Sequence, residues 1–301
     1  MKLDLDKVKN TGQIDFLARQ LVDGFITGLH KSPYHGFSVE FAEHHLYNSG
    51  ESTRHIDWKV YAKTDRLYTK TFEEETNLRC QLVLDNSSSM HYPTESKGKI
   101  KFSILCAAAI SHLLQKQRDA VGITTFSNKV ELTTPISSTS SHLRKLMTLL
   151  EQLFNDTDKN KSTSVASVLH EVAEKNHKRS LIIIFSDMFD NPDELEDIFK
   201  GLQHLKHNKH EVLLFHVTDK QTEYSFNFED RPYEFIDLES GEKLKLQPGQ
   251  VKDKYVEDIQ KYYHELKLRC GQLKIDFIEA DISGDFNDIL NAYLIKRAKM
   301  K

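Results

Sequence analysis

From residue 79 onward, short apolar runs alternate with segments whose apolar residues recur at helical spacing. RCQLVLD (79–85), AVGITTF (120–126), SLIIIFSD (180–187), EVLLFHV (211–217) and KIDFIEAD (274–281) have the length and β-branched content of strands. KVELTTP (129–135) is a shorter one, stopped by Pro135. Between them, KIKFSILCAAAISHLLQKQ (99–117), SSHLRKLMTLLEQLF (140–154) and SVASVLHEVAEKN (164–176) read as helices. So do Asp193 to His207, Val251 to Leu273 and Asp285 to Lys299. SLIIIFSD is the most apolar strand, as expected at the centre of a sheet covered on both faces. The alternation predicts an α/β fold, a doubly wound, mostly parallel sheet with helices on both faces.

Two segments break the alternation. Residues 1–78 open with a helix (Ile14 to about Leu29) and continue as polar, strand-like hairpins around SGE (49–51) and KTD (63–65). Residues 222–248 form a second excursion, with EFIDL and KLKLQ flanking the turn ESGEK. Neither is large enough for its own core. The expected organisation is an N-terminal helix and β-hairpin extension (1–78) attached to an α/β domain (79–301) that carries a hairpin insertion at about 222–248.

Composition narrows the class. No apolar run approaches the ~18 residues of a spanning helix, and MKLDLDKVKN lacks the apolar stretch of a signal peptide. A soluble, cytoplasmic protein is expected. Three widely spaced cysteines (Cys80, Cys106, Cys270) suggest neither a disulfide framework nor a zinc site. With 41 basic against 45 acidic residues, the net charge of −4 argues against a nucleic-acid binder.

The chemistry gathers at strand ends. In an open parallel sheet, ligands bind outside the carboxyl ends of the strands where strand order reverses. Asp85 ends the first strand of the alternation and Asp187 ends SLIIIFSD; if these strands are neighbours, both carboxylates face one crevice. In DNSSS, Ser87 and Ser89 alternate and turn their hydroxyls the same way as Asp85. Thr163, in KSTS, opens the helix leading to the Asp187 strand and can face the same place. Two carboxylates and three hydroxyls are hard oxygen donors, suited to Mg²⁺, with Mn²⁺ or Ca²⁺ also meeting the pattern, rather than to Zn²⁺ or copper. The bland alternative is a polar loop feeding a helix, since Ser and Asn favour turns and caps.

D-x-S-x-S at Asp85, Ser87 and Ser89, followed by Thr163 and Asp187, resembles the metal-ion-dependent adhesion site of von Willebrand factor A domains. SDMFD stands where such domains often read SDG, and KSTS replaces a glycine-rich approach to the threonine. SPYHGFSVEF (32–41), YNSGESTRHIDWKVYAKTDRLYTKTFEEE (47–75) and YEFIDLESGE (233–242) resemble the bacterial group known as "domain of unknown function 58". The resemblance implies direct metal oxygens from Ser87, Ser89 and Thr163, with Asp85 and Asp187 acting through water and hydrogen bonds. It also implies a partner protein whose Glu or Asp fills the open coordination position, and a cytoplasmic setting beside a MoxR-type AAA+ ATPase. Such a site binds and has no need to catalyse.

Other features have plainer readings. His30, His35, His44, His45 and His55 crowd the N-terminal region without ligand spacing; His44 and His45 would point to opposite faces of a strand. Arg54, Asp57 and Trp58 suit a structural anchor, and Glu73–Glu75 a solvated strand end. Tyr255, Ile259, Tyr262, Tyr263 and Leu266 share helical spacing, as core residues do. The competing function is a Mg²⁺-dependent phosphohydrolase, because strand-end aspartates also serve that chemistry. Haloacid-dehalogenase-like phosphatases place a second aspartate two residues after the nucleophile, where this chain has Ser87. No G-x-S-x-G elbow, Walker loop or G-x-G-x-x-G is present.

Overall fold

The computed structural model describes residues 13–30, 44–46, 58–70, 78–94, 96, 98–156, 164–189, 195–238 and 241–299. Residues 1–27 and 78–301 group as one compact unit and residues 28–77 as another. Helix α1 (Gln13–His30) opens the described chain. In the smaller unit, β1 (His44–Leu46), α2 (Trp58–Thr64) and β2 (Tyr68–Lys70) follow, with β1 and β2 paired antiparallel. The sequence predicts a hairpin turn at KTD; the chain does turn there, but at the end of a helix. Asp65 sits at φ 54°, its N–H bonding Tyr61 O at 2.9 Å, and Thr64 Oγ1 donates to Val60 O at 2.8 Å. A left-handed residue serves a hairpin or a helix C-terminus equally well, so local pattern does not separate the two. SGE, Arg54, Asp57, His35, His55 and Glu73–Glu75 lie outside the described residues.

The larger unit continues through β3 (Arg79–Asp85), α3 (Gly98–Lys116), β4 (Ala120–Phe126) and β5 (Val130–Thr133). Helices α4 (Ser140–Asn155) and α5 (Val165–Lys175) come next, then β6 (Leu181–Ser186), α6 (Leu195–His207) and β7 (Glu211–Thr218). After the hairpin of β8 (Tyr233–Ile236) and β9 (Lys243–Leu246), the chain closes with α7 (Pro248–Gln272), β10 (Asp276–Asp281) and α8 (Phe286–Lys299).

Six strands form one sheet in the order β10-β7-β6-β3-β4-β5, parallel except for the β5 edge. This is the α/β architecture the alternation predicts. Side chains of successive strand residues point to opposite faces. On one face Val83, Ile182, Ile184, Val212 and Leu214 pack with α5, α6 and the Leu266–Cys270 stripe of α7. Leu82, Leu84, Ile183 and Phe185 alternate with them, and Phe185 stacks on Phe215 with ring centroids 4.8 Å apart. α3 contacts β3, β4 and β7 as well as α4 and α8. α1 is tied to α3 by Asp15–His112 (2.8 Å) and Asp23–Lys116 (2.7 Å). Among the described residues no helix is long and apolar enough to cross a membrane.

Strand order fixes where chemistry can sit. β3 leads through α3 to β4 on one side, and the chain later returns to the other side of β3 as β6. The order therefore reverses between β3 and β6, at the ends that carry Asp85 and Asp187.

Candidate metal centre

β3 and β6 pair in parallel with Leu84 opposite Phe185, so Asp85 comes level with Ser186 and Asp187 follows one residue beyond at the same strand ends. Asp85 is fully buried. Its Oδ1 accepts from Ser87 N at 2.9 Å and its Oδ2 from Ser186 Oγ at 2.6 Å. These bonds fold DNSSS back over the strand end, and a 3₁₀ turn over Ser89–His91 continues it. The turn brings Ser87 Oγ within 3.1 Å of Ser89 Oγ, and Ser89 is among the groups that lower the Asp187 carboxyl. Asp85, Ser87, Ser89 and Asp187 thus share one crevice. Thr163 lies outside the described residues; Ser164, beside it, donates its N–H to Ser127 O at 3.3 Å.

The departure SDMFD has a structural consequence. Met188 takes φ 49°, a left-handed conformation that costs a side-chain-bearing residue roughly 1–2 kcal/mol. The site compensates. Met188 N donates to Ser186 Oγ at 2.9 Å, Tyr262 OH donates to Met188 O at 2.5 Å, and the thioether is buried in the core. Phe189 N donates to Asp187 Oδ1 at 3.1 Å, and the Phe189 ring, 50% exposed, stands at the rim.

Sequence reasoning missed the group that neutralises the crevice. Lys99 stands in the first turn of α3, only 1% exposed, with Nζ 2.8 Å from Asp187 Oδ2 and also bonded to Glu223 Oε1. A lysine at a helix N-terminus faces the positive end of the macrodipole, so helix stability does not explain it. Glu223 belongs to a π-helical turn, Lys220–Tyr224, that follows β7. No local signal marked it: Lys97, Lys99 and Lys101 look alike in the sequence.

Charges in the crevice are unevenly met. Burial, then the neighbouring Asp187, push Asp85 up to about 7. Burial also works to raise Asp187, but Lys99 outweighs it and holds that carboxyl below its ordinary value. Burial opposes the Lys99 ammonium, and Asp187 with Glu223 more than reverse that, raising it. Burial raises Glu223, with Lys99 opposing. Lys99 therefore serves Asp187 and not Asp85. Among the described residues no three His, Cys, Asp or Glu side chains converge as a metal cluster, so any cation here relies on hydroxyls and water besides the two carboxylates. That all-oxygen donor set, with an under-compensated buried carboxylate, fits a hard divalent ion that keeps some of its waters.

Comparison with known proteins adds the following. A family model described as "Protein of unknown function DUF58" matches residues 43–265. "Uncharacterized protein Rv1480" of Mycobacterium tuberculosis is 30% identical over 100 residues, 33% of this chain and 32% of that protein. The match thus spans about a third of the length of this curated relative. Among solved structures, an aerotolerance-related membrane protein from Bacteroides fragilis is 12% identical, covering 74% of this chain and 99% of that one, at a TM-score of 0.46. A von Willebrand factor type A structure from Catenulispora acidiphila is 12% identical, covering 50% and 34%, at a TM-score of 0.35.

Proposed function

This chain belongs to the DUF58 family, and from that premise we propose that it is a metal-dependent protein-interaction module. In this reading the crevice of Asp85, Ser87, Ser89 and Asp187, joined by Thr163, holds Mg²⁺ and offers a remaining position to a carboxylate of the partner. The observation that carries it is the convergence of two buried carboxylates at the strand-order reversal, with no cation beside Asp85 among the described residues. Ser87 and Ser89 supply neutral oxygens, which leave much of a cation's charge available to an incoming Glu or Asp. Asp85 and Asp187 are oriented by Ser87 N, Ser186 Oγ and Phe189 N, so they set the field and orient water. The resemblance to its family makes a MoxR-type AAA+ ATPase in the cytoplasm the proposed partner.

Thermal melting of the full chain tests the metal. With a dissociation constant of about 1 mM, about 10 mM Mg²⁺ adds roughly 1.4 kcal/mol by mass action. For a chain of this size that is a rise of about 2–3 °C over EDTA. Asp85→Ala should melt at the same temperature with or without Mg²⁺. A wild-type curve indifferent to Mg²⁺, Mn²⁺ and Ca²⁺ would contradict the reading.

A further inference from the structure

In this state Asp85, Ser87 and Asp187 are closed off, while Ser89 is half-buried. Asp85 and Ser87 have no exposed surface, Asp187 is 3% exposed, and an ammonium already sits on Asp187 Oδ2. Both carboxylates that hold Lys99 have anchors of their own. Asp187 Oδ1 accepts from Phe189 N at 3.1 Å, while Glu223 Oε2 accepts from Asp219 N at 2.8 Å and Tyr255 OH donates to Glu223 O at 2.9 Å. Asp219 in turn caps Gln221 N at 3.1 Å and accepts from Thr222 Oγ1 at 2.9 Å, which fixes the π-helical turn. Between these two fixed carboxylates, the mobile element is a single four-carbon side chain.

We propose that Lys99 is a tethered cation that latches the crevice, and that a divalent ion binds by displacing its ammonium from Asp187 onto Glu223 alone. The inference rests on the metal reading above and names its regulation. A divalent ion and an ammonium cannot both approach Asp187 closely inside a buried crevice, because like charges repel strongly where water is excluded. Yet Lys99 cannot leave without a partner, since an unpaired buried ammonium is costly. Glu223 meets that need: it already bonds the ammonium and stays anchored after the exchange. The Tyr92 ring, 5.8 Å from Nζ, lines the same side and tolerates a cation over its face. Glu223 thus links the insertion after β7 to a metal site built by β3 and β6.

Equilibrium binding of Mn²⁺, read from the paramagnetic signal of the free ion, tests the latch on the full chain near neutral pH. Lys99→Met removes the competitor and should bind Mn²⁺ at least tenfold more tightly than wild type. Glu223→Gln removes the receiving carboxylate and should bind at least tenfold more weakly. In the double variant the Glu223→Gln effect should vanish, because nothing remains to be received. Unchanged or weaker binding by Lys99→Met overturns the latch while wild-type binding keeps the metal site. Should Lys99→Met fail to fold, Glu223→Gln decides: affinity equal to wild type overturns the proposal. Absence of Mn²⁺ binding by wild type and both variants overturns the metal reading itself. Binding by Lys99→Met alone shows a latch too tight for Mn²⁺ to open.

Discussion

Lys99→Met should cost the metal-free protein about 3–5 kcal/mol of unfolding free energy, the range for breaking one side of a buried ion pair. Lys99 and Asp187 are 1% and 3% exposed, so solvent screening does little to soften the loss. Methionine keeps most of the volume and leaves two carboxylates facing each other with no cation between them. Glu223, 24% exposed on its side chain, can recover part of its hydration; Asp187 cannot. Combining Lys99→Met with Asp187→Asn should restore most of the loss, because the uncompensated charge is then gone. Urea unfolding in EDTA measures both. A loss below about 1 kcal/mol for the single variant would place this pair among weak surface contacts.

Asp85→Asn should act in the opposite direction, and its effect should depend on pH. Below about pH 4 the carboxyl is protonated in both the folded and unfolded chain. Between about 4 and about 7 the folded protein retains the proton that the unfolded chain has lost, so stability falls as pH rises. Asparagine carries no such penalty. The stability difference, variant minus wild type in EDTA, should grow from near zero around pH 4 to about 2–4 kcal/mol around pH 8 and then level off. The wild-type curve alone would mislead. His216 is held down to about 4 by burial, so its contribution is lost as pH falls from about 6.5 through that value, with the opposite slope. Subtracting the two proteins cancels it. In saturating Mg²⁺ the order should reverse, since a bound cation favours the carboxylate. A difference that stays flat from pH 4 to 8 would show that Asp85 ionises freely in the fold.

The sheet was legible because its strands announce themselves. LIIIFS can only be a central strand, and the strand predicted at AVGITTF spans the residues of β4. From strand identity and the rule for binding at a reversal of strand order, Asp85 and Asp187 could be placed together without any contact being known. Hydroxyl spacing in DNSSS then pointed to oxygen chemistry. What escaped depends on long-range pairing. Lys99 meets Asp187 across 88 residues and Glu223 across 124, and neither KGKIKF nor KQTEY carries a local sign of it. Ser186 was hidden inside the strand it ends, although it holds both Asp85 and the left-handed Met188. α2 was missed because a left-handed Asp65 suits two kinds of turn.

Anomalous diffraction from crystals of the full chain soaked in Mn²⁺ bears most directly on the crevice. The expected result is one strong manganese peak in contact with Ser87 Oγ and Ser89 Oγ, with Lys99 Nζ withdrawn from Asp187 and still bonded to Glu223. A map without manganese at the β3–β6 strand ends, and with Lys99 still seated on Asp187, would contradict it.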